Sequence, residues 1–248
     1  MTQEKLPKEL QDPFKESGFK SINKAISASL HQVTDGIKGI RRVFPTKWTR
    51  LNRNLLGGLQ PGKMYVIAGR PGVGKSAFSN QLIFDLLDNN QNKKLLVLYW
   101  SFEMPGHQQI MRAGAKGTGK EVSELLSVER KLEQDAYEAF KKEVLKYANY
   151  PIYFNNIPRN MEFVKNANVE ITNKNPDHTI VNVFDHSRLI LSEKEHELQK
   201  LNEVSKGCMW LQAKMGTINI LLSQLNRNIE QEHRAKAQYQ PLLTDLFG

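Results

Sequence analysis

The run Gly69-Arg70-Pro71-Gly72-Val73-Gly74-Lys75-Ser76 restricts what this chain can fold into more than any other feature. It fits G-x-x-x-x-G-K-[ST], in which glycines let the backbone curl until successive N–H groups converge on phosphate oxygens. In that pattern Lys75 reaches the β- and γ-phosphates, and the Ser76 hydroxyl can ligate Mg²⁺. The flanks come in the required order. Met64-Tyr65-Val66-Ile67-Ala68 is a short β-prone run. Residues 77–87 carry Phe78, Leu82, Ile83, Leu86 and Leu87 at helical spacing. The loop is thus expected between a strand and a helix N-terminus, where the helix dipole favours an anion. All eight residues are expected to line a site for ATP and Mg²⁺.

The rest of the chain supplies the sheet that such a loop needs. Residues 95–100 (LLVLYW), 179–184 (TIVNVF) and 217–222 (TINILL) are continuous apolar runs, as in strands covered on both faces. A shorter strand is expected at 152–155. Helical patterns fall between them, at 105–115, 120–126, 129–148, 159–173 and 193–214. Gly117-Thr118-Gly119-Lys120 lacks the full P-loop spacing and a preceding strand, and reads as a turn. Strands alternating with helices predict an α/β fold, a mostly parallel sheet of wound βαβ units flanked by helices.

Ahead of this core, residues 1–17 are polar, hold Pro7 and Pro13, and read as a mobile tail. From 19 to 40 an apolar stripe of Phe19, Ile22, Ile26, Leu30, Val33, Ile37 and Ile40 predicts a helix, broken or capped near Asp35-Gly36. Such a stripe needs a cover, either its own domain or a groove on a neighbouring subunit. A short helix is expected from residue 49, ending at Gly57-Gly58. The resulting division is a tail and linker helix over 1–44 and a nucleotide-binding domain over 45–248.

Composition narrows the setting. Of 248 residues, 40% are hydrophobic and 25% charged, enough for one sizeable core. The lone Cys208 excludes an intramolecular disulfide framework and fits a reducing compartment. No apolar run approaches 18 residues and the N-terminus lacks a signal-peptide core, so a soluble, cytoplasmic protein is expected. The net charge of +9 permits nucleic-acid binding without establishing it.

Three polar residues close predicted strands at the end where open α/β sheets place their ligands. Asp185 can hold the ion coordinated by Ser76, usually through water. Glu103 can take a proton from, or orient, the water attacking the γ-phosphate. Gln224 can sense that phosphate through its amide. Each is also the kind of residue that simply closes a strand or opens a helix.

The segments LLGGLQPGKMYVIAGRPGVGKSAF, SFEM followed by Met111-Arg112, VFDHSRLI, LLSQLNRNIEQ and LLTDL occur in that order from about residue 45 to 248. Together they resemble the catalytic domain of the bacterial and phage DnaB-like replicative helicases, which is built on the RecA fold. The resemblance implies an ATP-driven helicase subunit. Lys75 and Ser76 would bind phosphate and Mg²⁺, and Asp185 would be the Walker B acid. Glu103 would be the catalytic carboxylate, assisted by Lys75, and Gln224 would couple nucleotide state to DNA. It also implies a ring, usually of six subunits, with the helix at 19–40 docked on the neighbour and single-stranded DNA in the channel. Arg227, Arg234 and Lys236, in a polar segment that matches a channel-facing loop, would meet the DNA phosphates. A primase or helicase loader would be a further partner.

Three departures qualify this. There is no room ahead of the linker helix for the globular domain many relatives carry. Asp185-His186-Ser187-Arg188 stands where bacterial members usually have Asp-Tyr-Leu-Gln. The chain also stops at Thr244-Asp245-Leu246-Phe247-Gly248, before the relatives' arginine finger, so a C-terminally incomplete domain with weak turnover is expected. Two other readings stay open: a RecA- or RadA-like recombination ATPase, and a nucleotide-binding assembly protein without efficient turnover.

Overall fold

The computed structural model describes residues 18–186, 190–194, 196–225, 241 and 245. The expected tail (1–17) and residues 187–189, 195, 226–240, 242–244 and 246–248 lie outside the described residues, Arg227, Arg234 and Lys236 included. The chain divides into two units, Met1–Arg42 and Val43–Gly248.

The first unit is built around one helix, α1 (Ile22–Ile37). Ser21 caps its start by accepting the Lys24 N–H at 3.4 Å. Its end is closed by the Lys38 N–H on Thr34 O (2.9 Å), with Gly39 turning the chain at φ +66°. The helix is shorter at both ends than the 19–40 stripe predicts, because Ser21 and Gly39 set its limits. No residue of α1 is buried, and Ile22, Ile26, Leu30, Val33 and Ile37 are between 48% and 82% exposed.

In the second unit the elements run α2 (Thr49–Asn54), β1 (Lys63–Gly69), α3 (Lys75–Asn89), β2 (Leu95–Ser101), α4 (Gly106–Thr118), α5 (Val122–Leu125), α6 (Gln134–Leu145), β3 (Ile152–Asn155), α7 (Met161–Lys174), β4 (Thr179–Asp185), α8 (Glu197–Met215) and β5 (Ile218–Gln224). The five strands form one sheet in the order β1-β5-β4-β2-β3, and every pair is parallel. Every residue of β2 and β4 is buried. Alternate residues of β2 feed two different cores, which is why the run reads as continuously apolar. Val97 and Tyr99 pack with Ile83 and Leu86 of α3, whereas Leu96, Leu98 and Trp100 pack with Val164 of α7 and Leu211 of α8.

Polar side chains thread the second core. Asn182 accepts from Trp100 Nε1 at 3.0 Å and exchanges hydrogen bonds with Asn168 at 2.9 and 3.1 Å. It also donates to Asn219 Oδ1 at 3.0 Å, and Asn219 donates to Cys208 O at 3.2 Å. All three asparagines are fully buried, so these bonds remove a desolvation cost that would otherwise oppose folding.

Element boundaries move where short polar side chains offer the backbone another partner. The helix expected over 129–148 begins only at Gln134, because Ser127 Oγ accepts the Arg130 N–H and holds a turn. Likewise α8 begins at Glu197 rather than 193, where Ser192 Oγ accepts the Lys194 N–H and bonds Glu203. Gly119 does terminate a helix, α4, as its left-handed cap at φ +67°.

Entry into the core depends on one glycine. Phe44 and Leu59 are joined as an antiparallel bridge, and both are buried. Gly58, at φ +140°, lies so close that a Cβ there would sit 2.3 Å from Phe44 O and 2.5 Å from its carbonyl carbon. Gly58→Ala is therefore expected to destabilise the domain by about 2–4 kcal/mol, combining backbone strain with a clash against main chain. Gly57→Ala should cost less, since its Cβ would meet only the Val43 side chain at 3.4 Å. Urea denaturation with a shifted midpoint and unchanged slope checks both; equal effects would remove the steric explanation.

Candidate nucleotide and metal site

The glycine loop leaves the C-terminal end of β1 and enters α3 directly. Gly72 and Gly74 take φ +76° and +91°, and Gly74 is the left-handed N-cap of α3. Both are left-handed conformations that glycine adopts without strain, and a Cβ at either would meet nothing within 4 Å. Lys75 is the first residue of the helix, and its Nζ donates to Arg70 O at 3.0 Å across the loop. Burial lowers the Lys75 pKa, partly offset by the negative charges of Glu103 and Asp185.

Sheet register brings the other predicted residues to this rim. Asp185 ends β4 opposite Ser101, and Asp185 O accepts the Phe102 N–H at 2.9 Å. Glu103 follows one residue later, exposed on the bend before α4. On the other side, Gln224 ends β5 opposite Gly69, and the Leu225 N–H donates to Gly69 O at 3.2 Å. The Ser76 hydroxyl donates to Asp185 Oδ1 at 3.1 Å. Residues distant in sequence, from the ends of three other strands, thus share the rim with this loop.

Asp185 is 1% exposed, and its carboxyl pKa is pushed up by burial and by the nearby charge of Glu103. The Ser76 hydrogen bond and the cations Lys75 and Arg112 pull it back down. Its second oxygen, Oδ2, is buried with no hydrogen-bond partner among the described residues. An orphaned carboxylate oxygen beside a serine hydroxyl is a hard-oxygen donor set of the kind Mg²⁺ takes. Among the described residues no group of three or more His, Cys, Asp or Glu is placed to hold an ion by itself. A cation here would therefore need further oxygens, as Mg²⁺ sites with one or two protein ligands plus phosphates do.

Comparison with known proteins decides the family. A family model described as the DnaB-like helicase C-terminal domain matches residues 44–247. The chain belongs to this family. Among curated proteins it is 24% identical to the replicative DNA helicase DnaB of Rickettsia prowazekii over 243 residues, which is 93% of this chain and 48% of that protein. It is 26% identical to the DnaB of Geobacillus stearothermophilus over 221 residues, 88% of this chain and 45% of that one. The chain therefore spans about half the length of these relatives. In fold it is similar to a DnaB-like replicative helicase solved in a study of its interactions with primase, with TM-score 0.76 at 20% identity over 92% of this chain and 53% of that one. The sheet and its flanking helices are those of the RecA-like fold.

Sequence reasoning did not single out what braces this DnaB-family site. Gln109 is buried, its Nε2 donates to Ser101 Oγ, and its main-chain carbonyl accepts from Asn80 Nδ2 at 3.1 Å. Arg112, one turn further along α4, is near enough for its charge to act on Asp185. A polar residue on the buried face of an otherwise amphipathic helix was the available signal for Gln109; for Arg112 there was only its place in the Met111-Arg112 pair.

Proposed function

We propose that this chain is the motor domain of an ATP-dependent replicative DNA helicase subunit, which binds Mg·ATP at residues 69–76 and turns its hydrolysis into movement along single-stranded DNA. The observation that carries this reading is the Ser76–Asp185 contact at 3.1 Å, set beside Lys75 and Glu103, in a member of the DnaB-like helicase family. Lys75 meets the β- and γ-phosphates, and the loop from Gly69 through Arg70, Pro71, Gly72, Val73 and Gly74 wraps them. Ser76 and Asp185 hold Mg²⁺, which when bound screens the charge of the phosphates. Glu103 orients the attacking water or accepts its proton. Gln224, one strand from the loop, senses the terminal phosphate and passes the state on toward the segment that follows it.

The proposed partners follow from the same reading. Arg227, Arg234 and Lys236 contact single-stranded DNA through its phosphates, a mode that carries little sequence information. The uncovered stripe of α1 docks on a neighbouring copy in a ring, usually a hexamer, and a primase or loader engages the assembly in the cytoplasm. Support for primase comes from the solved relative studied with one. A strand-exchange ATPase has no comparable support, because the matched family is the helicase domain.

ATPase rate measured with and without single-stranded DNA tests the proposal; stimulation by DNA is expected. Glu103→Gln should keep Mg·ATP affinity and lower turnover roughly 10²–10⁴-fold, the range for loss of a general base. Equal turnover would move the catalytic role elsewhere. Tight binding with no turnover in the wild type would instead favour a nucleotide-dependent assembly protein.

A further inference from the structure

We propose that Arg112 reads the γ-phosphate, giving this chain a phosphate-sensing arginine of its own. The inference rests on the nucleotide-site reading above. A cleft of about 150 Å³ runs between α3 and α4, and its lining passes from Ser76 at the P-loop end through Asn80, Met104 and Gln109 to Arg112. Arg112 is exposed and has no hydrogen bond or ion pair among the described residues, so its donors are free for a ligand. A guanidinium presents five donors in a planar fork that matches phosphate.

Its placement is fixed by the turn before it. Gln109 is 2% exposed and tied to Ser101 of β2 and Asn80 of α3, so α4 cannot roll Arg112 away from the site without breaking buried hydrogen bonds. Gln109 Oε1 is also buried with no partner among the described residues, leaving the cleft an unsatisfied acceptor. Water ordered around a bound phosphate can supply the donor it lacks.

The chemistry selects the terminal phosphate. The loop amides and Lys75 enclose the middle of a polyphosphate, while Ser76, Asp185 and Glu103 mark the direction in which its end must project. Arg112 lines the same cleft as Ser76 and as Met104, the residue next to Glu103. An arginine supplied within one chain stabilises the transferred phosphate in some GTPases.

Calorimetric titration with Mg²⁺ and either a non-hydrolysable ATP analogue or ADP tests this without needing turnover. Arg112→Ala should weaken the triphosphate roughly 10–100-fold, the loss of one or two charge-assisted hydrogen bonds, and leave ADP unchanged. Arg112→Lys should recover part of the affinity, since it keeps the charge but not the fork. An equal loss for both nucleotides, or no loss for either, overturns the assignment. Lys75→Ala run alongside separates the levels: wild-type affinity in that variant removes the nucleotide site itself, and with it the role of Arg112.

Discussion

Lys75→Ala is expected to lower Mg·ATP affinity roughly 10²–10³-fold, which titration calorimetry reads directly. The expectation follows from removing a cation that faces two phosphates, each charge-assisted bond being worth about 1.5–3 kcal/mol. The fold should be spared. Lys75 is the first residue of α3, its Nζ bonds Arg70 O alone among the described residues, and that carbonyl lies on an exposed loop where water can replace the ammonium. Burial already disfavours the charged amine in the free protein, so the phosphates recover a cost that the loop has borne. Unchanged affinity, with thermal unfolding also unchanged, would sink the P-loop assignment and leave the glycine loop as a turn.

Asp185→Asn should separate stability from metal binding, moving them in opposite directions. Burial raises the folded-state pKa of Asp185, so folding favours its protonated form. The stability that this contributes is complete below the ordinary carboxylate pKa and is lost as pH rises through the raised folded value. At neutral pH the ionised, buried carboxylate therefore costs the nucleotide-free domain stability. Asparagine keeps an oxygen for the Ser76 hydroxyl and removes the charge, so the variant should melt higher at pH 7 and match the wild type near pH 3. The same change should weaken Mg²⁺-dependent ATP binding roughly 10–100-fold, in line with loss of a carboxylate that supports a metal. A lower melting temperature at pH 7, or ATP binding with undiminished Mg²⁺ dependence, would refute the pairing of Ser76 and Asp185 as a cation site.

Much of this site was legible in the chain because strand ends are where chemistry and periodicity meet. Apolar runs such as 95–100 and 179–184 announce strands covered on both faces, and the first charged residues after them, Glu103 and Asp185, fall at the rim. The strand order was not legible. Nothing local says that β5 lies between β1 and β4, since that depends on how long crossovers pack against the sheet. The asparagines of the second core were also invisible as a network. Within TIVNVF and TINILL each looks like a flaw in an apolar run, and only the pairing of β4 with β5 and the approach of α7 make them partners. Arg112 escaped for a different reason: an exposed arginine on a helix looks the same in sequence whether it meets solvent or a ligand.

That asparagine network also bears on how force can travel. Asn182 engages a neighbour on β5, a tryptophan on β2 and a helix at once. Sliding β4 along either neighbour by one repeat would leave several amide groups in the interior with no partner, each costing about 1–3 kcal/mol. Shear between the central strands is therefore strongly opposed. A displacement imposed at the rim that carries the glycine loop would then reach the far end of the strands through a sheet that moves as one body, with little taken up by slip between strands.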